Sequence, residues 1–204
     1  MDSAVIGRRT LLGAAAAAVT PGLGRAAQTL PKVAIHTGRG TIVVELESDR
    51  APITSRNFLH YVDTKLFDDG QFYRASRTKG EPDHGDIQGW PNPTTRRYSP
   101  IPHESTTKTG ILHDTGAISM GRFGPGSATA DFFICASPLP YLDAHPEDTS
   151  KGDHLGYAAF GHVVSGMDVV LKILAMPTGG HAFLKEYQGQ ILTKPVSIVT
   201  MRRV

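Results

Sequence analysis

Apolar positions between Lys32 and the C-terminus come in short runs, separated by polar stretches rich in glycine and proline. Val33-Ala34-Ile35-His36-Thr37 and Thr41-Ile42-Val43-Val44-Glu45-Leu46 flank Gly38-Arg39-Gly40, which predicts a hairpin of two strands. Ala51-Pro52-Ile53-Thr54 then opens a helix with proline in its first turn. Phe58, Leu59, Val62 and Leu66 recur at three- and four-residue spacing, so this helix has one apolar face. Phe72-Tyr73-Arg74, Ala117-Ile118-Ser119-Met120, Phe132-Phe133-Ile134-Cys135 and Ala158 to Val164 predict further short strands. A second helix runs from Met167 to Ala175, and Ser197 to Arg202 is a closing strand. Residues 76–86 and 91–110 are polar and read as loops. Many short strands with two helices predict a mainly β protein, a closed antiparallel β-barrel with helices packed at its ends.

The chain has 204 residues, 40% apolar and 20% charged, enough for one packed domain and too apolar for disorder. Its 21 basic and 19 acidic residues give a net charge of +2. That excess sits in residues 1–27, where Arg8, Arg9 and Arg25 outweigh Asp2. A neutral body does not fit a nucleic-acid binder. The single cysteine, Cys135, excludes an intramolecular disulfide, and its apolar strand predicts a buried, inert thiol.

Residues 1–27 read as an export signal. Arg8-Arg9 precede a weakly apolar, alanine-rich run, and Pro21-Gly22-Leu23-Gly24-Arg25-Ala26-Ala27 follows it. Paired arginines before such a run resemble the twin-arginine type. The expected division is a leader over 1–27 and one domain over 28–204, in a chain exported to the periplasm.

Three blocks point to chemistry. The first is Phe72-Tyr73-Arg74 with Ile87-Gln88-Gly89. The second is Gly116 to Met120 with Ser127 to Ile134. The third is Tyr141-Leu142-Asp143 with Ala159 to Val170. In this order and spacing they resemble the cyclophilin family of peptidyl-prolyl isomerases from about Lys32 to Arg202. The resemblance implies an eight-stranded antiparallel barrel capped by two helices. It also implies a monomer acting on proline-containing polypeptides, open to cyclosporin-like ligands, with no cofactor, no metal, no nucleic acid and no membrane contact beyond the signal.

Isomerising an Xaa-Pro bond means twisting an amide over a barrier of ~18–20 kcal/mol, and no nucleophile is needed. As the amide twists, its nitrogen regains a lone pair, to which a fixed guanidinium can donate. The resemblance makes Arg74 that group. Phe133 and Leu142 fall at pocket-wall positions, Gln88 at a backbone-gripping position, and Gly121, Arg122 and Phe123 along the groove. Tyr141 and Tyr157 stand at the rim, where many members carry Trp and His. Two departures follow. The stretch between Arg74 and Gln88 is about six residues longer than in common members, and Gly85 and Asp86 replace a Phe and an apolar neighbour. The missing wall is then expected from Ile87 or Phe123. Asp131 replaces a Gln, and its expected partner is Arg74 or Arg122.

The competing reading is a proline-peptide binding module or chaperone of the same fold with weak turnover. A metal enzyme is disfavoured, because the nine histidines lack ligand spacing such as His-Glu-x-x-His. A hydrolase is disfavoured because no Gly-x-Ser-x-Gly elbow occurs.

Overall fold

The computed structural model describes Met1 and residues 29–92, 94 and 96–204. The expected leader therefore lies, apart from Met1, outside the described residues. Eight strands form one closed antiparallel barrel: β1 (Lys32–Thr37), β2 (Gly40–Leu46), β3 (Gly70–Thr78), β4 (Glu81–Trp90), β5 (Ala117–Met120), β6 (Phe132–Cys135), β7 (Ala158–Ser165) and β8 (Ile191–Arg203). Their order around the barrel is β1-β2-β7-β5-β6-β4-β3-β8, and pairing of β1 with β8 closes it. Closure leaves no long free strand edge, which suits so many short, apolar strands.

Helix α1 (Pro52–Asp63) packs on β7 and β8, and α3 (Met167–Leu174) packs on β2, β3 and β4. A single turn, α2 (Thr106–Thr109), interrupts the long loop. Phe58 of α1 reaches into the barrel, with its ring 5.2 Å from Phe160 and 5.6 Å from Phe132. Aromatic packing of this kind adds to simple area burial. Phe132 and Phe133 face opposite sides of β6, as strand geometry requires: Phe132 joins the barrel core, and Phe133 joins a smaller cluster with Leu142 and Tyr157.

The segment read as a loop over 76–86 is instead a β-hairpin, with β3 running out to Thr78 and β4 returning from Glu81. Its far end stands in solvent on both faces, so no burial imposes the apolar alternation by which strands are recognised. Gly85 sits in this ladder at φ +152, where a Cβ would lie 1.9 Å from the Ser76 carbonyl oxygen. Only glycine fits that close cross-strand approach.

Candidate active site

A β-bulge between Phe72 and Arg74 shifts the register of β3 against both β4 and β8. Bulges re-aim side chains, and Arg74 follows this one. Its Nε donates to Gln190 Oε1 at 2.7 Å. Its Nη1 donates to Gln88 Oε1 at 2.9 Å and to Asp86 Oδ2 at 3.3 Å. The guanidinium lies over the Tyr187 ring, 4.5 Å from its centroid. Arg74 Nη2 makes no hydrogen bond among the described residues, so the group is held on two sides with one nitrogen left to donate. Burial pushes the Asp86 carboxyl above the usual carboxylate range, and the charge of Arg74 pulls it part of the way back.

Beside Arg74 lies a cavity of about 270 Å³. Gln88, Gly121, Arg122, Phe133, Tyr141, Leu142 and Tyr157 line it, together with Asp86, Glu186 and Tyr187. Eight of the eleven site residues expected from sequence thus meet at one place. Phe133 is the rigid wall: it stacks on His113 (5.7 Å, 13°) and meets Tyr157 edge-on (5.4 Å, 88°). His113 is locked in turn. Its backbone N–H and Nδ1 both reach Asp143 Oδ1, at 3.1 and 2.7 Å, and Nε2 lies 2.9 Å from Ser119 Oγ. Burial lowers the His113 pKa, with Asp143 opposing, so the neutral ring donates from Nδ1 and accepts at Nε2. Asp143 ends the 3₁₀ turn Pro140–Leu142, so the same network fixes the turn that presents Tyr141 and Leu142.

The other three residues behave differently. Ile87 is fully buried in the barrel core and cannot form the missing pocket wall. Phe123 is 83% exposed and lines a second cavity of about 250 Å³, which shares Gln88, Gly121, Arg122 and Tyr187 with the first. Asp131 also lines the second cavity and pairs with neither expected arginine. It accepts from Arg97 Nη1 at 2.9 Å, while Arg122 is held by Asp153 through two bonds of 2.8 Å. That fork pulls the Asp153 carboxyl down to about 2.

Tyr187, in the stretch 177–190 between α3 and β8, also lines the first cavity. Sequence reasoning missed Tyr187 and Gln190, and it had Asp86 only as a lost wall position, not as a partner of Arg74. The available signal was a pair of aromatics, Phe183 and Tyr187, in an otherwise polar, glycine-rich stretch with no helix or strand pattern. Cys135 is buried with its thiol pKa well raised, as its apolar strand implied.

The family described as cyclophilin type peptidyl-prolyl cis-trans isomerase/CLD matches residues 32–202. A peptidyl-prolyl cis-trans isomerase of Acinetobacter baylyi is 31% identical over 173 residues, covering 83% of this chain and 84% of that protein. Peptidyl-prolyl cis-trans isomerase B of Escherichia coli is 34% identical over 148 residues, covering 72% of this chain and 86% of that protein. A crystal structure of a cyclophilin type isomerase of Cryptosporidium parvum superposes with a TM-score of 0.64 at 20% identity, over 86% of this chain and 98% of that one. The structural likeness speaks for the barrel and the sequence relatives for the activity: the chain belongs to the cyclophilin-type peptidyl-prolyl cis-trans isomerases.

Proposed function

We propose that Arg74 is the catalytic group of this isomerase, that the cavity beside it takes the proline ring, and that the enzyme serves the folding of exported proteins. The observation behind this reading is the guanidinium fixed through Nε and Nη1 with Nη2 left to donate, next to Phe133 and Leu142.

The ring of a bound proline packs between Phe133, Leu142 and Tyr187, which shields the amide from water. Arg74 Nη2 donates to the prolyl nitrogen as it turns pyramidal. This bond strengthens only in the twisted state, so it lowers the barrier instead of merely tightening binding. The Gln88 side-chain oxygen accepts from Arg74 Nη1, which turns the amide nitrogen toward Gly121. A Cβ on Gly121 would stand 3.1 Å from that nitrogen, so glycine keeps the donor clear for a peptide carbonyl. No bond is made or broken, and every group returns to its starting state. Cyclosporin-like macrocycles compete for the same cavity.

The exported role rests on Arg8-Arg9 and the alanine-rich run in residues 1–27. It is tested by expressing the full chain in a bacterium that has twin-arginine export and sequencing the N-terminus of the periplasmic product. A mature start near residue 28, lost when Arg8 and Arg9 are both changed to Lys, supports export. The catalytic role is tested on a protein whose refolding is limited by proline isomerisation. The chain is expected to speed the slow phase and Arg74→Ala to leave it uncatalysed. The binding-module reading predicts that neither protein changes it.

A further inference from the structure

Asp86 faces the cavity from β4 and puts a carboxylate where the resemblance implied an apolar wall, while Gly85 faces the other side of the strand with Ile87. The stretch 177–190 brings Glu186 and Tyr187 to this cavity and is tied down at three places. At its root, Arg77 of β3 reaches the end of α3, donating to the carbonyls of Leu174 and Met176 (2.9 Å for the latter) and to Thr178 Oγ1 at 3.0 Å. The amides of Gly179 and Gly180 both bond to the Ile191 carbonyl, at 2.9 and 3.0 Å. In its middle, Phe183 stacks on Trp90 (5.8 Å, 15°) beside Tyr73 (6.0 Å). At its end, the Gln190 carbonyl accepts from the Ala75 amide at 2.9 Å, and the Gln190 side chain spans from Arg74 Nε to the Glu186 carbonyl (3.1 Å). The lengthened hairpin thus supplies Arg77, which anchors the root of the stretch that carries Tyr187 to the cavity.

We propose that 177–190 is a strap that completes the active site: Gln190 is a positioning residue that aims Arg74, and Tyr187 replaces the missing pocket wall. The inference rests on the reading of Arg74 as the catalytic group. An arginine on a flexible stem has many rotamers. Gln190 fixes Nε and the Tyr187 ring supports the guanidinium face, so the remaining nitrogen points one way. Neither contact touches the reacting bond through Gln190, so its loss acts on turnover through Arg74.

The test compares Gln190→Leu, Gln190→Glu, Tyr187→Leu, Tyr187→Phe and Arg74→Ala by exchange of a proline peptide and by the Arg74 Nε–H signal in ¹⁵N NMR. Gln190→Leu keeps the backbone bond to Ala75 and removes the side-chain acceptor. It is expected to lower kcat roughly tenfold with KM within about twofold, and to abolish the protected Nε–H signal. Gln190→Glu keeps an acceptor and is expected to keep both signal and rate within about threefold. Tyr187→Leu is expected to lower kcat/KM roughly tenfold, and Tyr187→Phe to restore it. Wild-type rates and an unchanged Nε–H signal in both leucine variants, with Arg74→Ala inactive, overturn the strap alone. Full activity in Arg74→Ala overturns the catalytic reading and the strap with it. If Gln190→Leu does not fold, Tyr187→Leu and its phenylalanine rescue decide the question by rate.

Discussion

Asp131 and Arg97 form an ion pair of 2.9 Å on the wall of the second cavity. The pair leaves Arg74 free of Asp131 and places a carboxylate where the resemblance implied a Gln side chain. An ionised carboxylate only accepts hydrogen bonds. Asp131→Gln is therefore expected to gain a donor toward the bound peptide. The expected result is a KM lower by about fivefold, since one neutral hydrogen bond is worth ~1 kcal/mol, with kcat unchanged. Steady-state rates over a range of peptide concentrations check it.

Leu142 is half-buried against Phe133 and Cys135 at the end of the 3₁₀ turn. Leu142→Ala shortens the wall facing the proline ring while the His113–Asp143 bonds keep the turn in place. KM is expected to rise by roughly tenfold, the scale of a few methyl-sized groups removed from an apolar contact. Thermal melting is expected to move little. Leu139→Ala, at a fully buried neighbour, is the contrast: it is expected to cost ~2–5 kcal/mol of stability.

Helix α1 has no side-chain cap of its own at Ala51. Glu104 caps it from a distant loop, accepting from the amides of Ile53 (3.2 Å) and Thr54 (2.8 Å) and from Thr54 Oγ1 (2.7 Å). A carboxylate at a helix N-terminus also meets the positive end of the helix dipole. Glu104→Ala strands three donors and is expected to cost ~2–3 kcal/mol. For a domain of this size that lowers Tm by roughly 5–10 °C. Turnover at low temperature is expected to be unchanged, because Glu104 stands apart from the cavity.

His113 makes stability depend on pH. Its folded pKa is depressed below the ordinary value of about 6.5, so the unfolded chain takes up the proton first. The stabilisation is complete above about pH 6.5 and is lost as pH falls from there toward the folded value. Asp143, Ser119 and Asp114 are the polar groups around it, and Asp143 and Asp114 oppose the shift without reversing it. Melting temperatures are expected to fall more steeply between about pH 7.5 and 5.5 in the wild type than in His113→Gln. Equal slopes contradict the assignment.

The parts of the site legible in the sequence are those whose order along the chain is also their role. Phe72-Tyr73-Arg74, Phe132-Phe133 and Tyr141-Leu142 were legible through the resemblance of their blocks to a family, whereas strand alternation alone says only that Phe132 and Phe133 face opposite sides. The hairpin over 76–86 was invisible because its far end, Thr78 to Asp83, stands exposed and imposes no apolar alternation. Ile87 was misassigned for the opposite reason: β4 alternates, and since Gln88 faces the site, Ile87 must face the core. Gln190 meets Arg74 across 116 residues, and Asp131 finds Arg97 in a loop with no periodic pattern. Contacts of that kind depend on how the barrel closes, and local spacing carries no trace of them.

The role of Arg74 is tested most directly by magnetisation exchange between the cis and trans forms of a short Xaa-Pro peptide, with wild-type chain and with Arg74→Ala. The wild type is expected to accelerate exchange. The variant is expected to be slower by roughly a hundredfold, the scale of one positioned transition-state donor, with its circular dichroism unchanged. Equal acceleration by the two proteins, both folded, would contradict the assignment of Arg74 as the catalytic group.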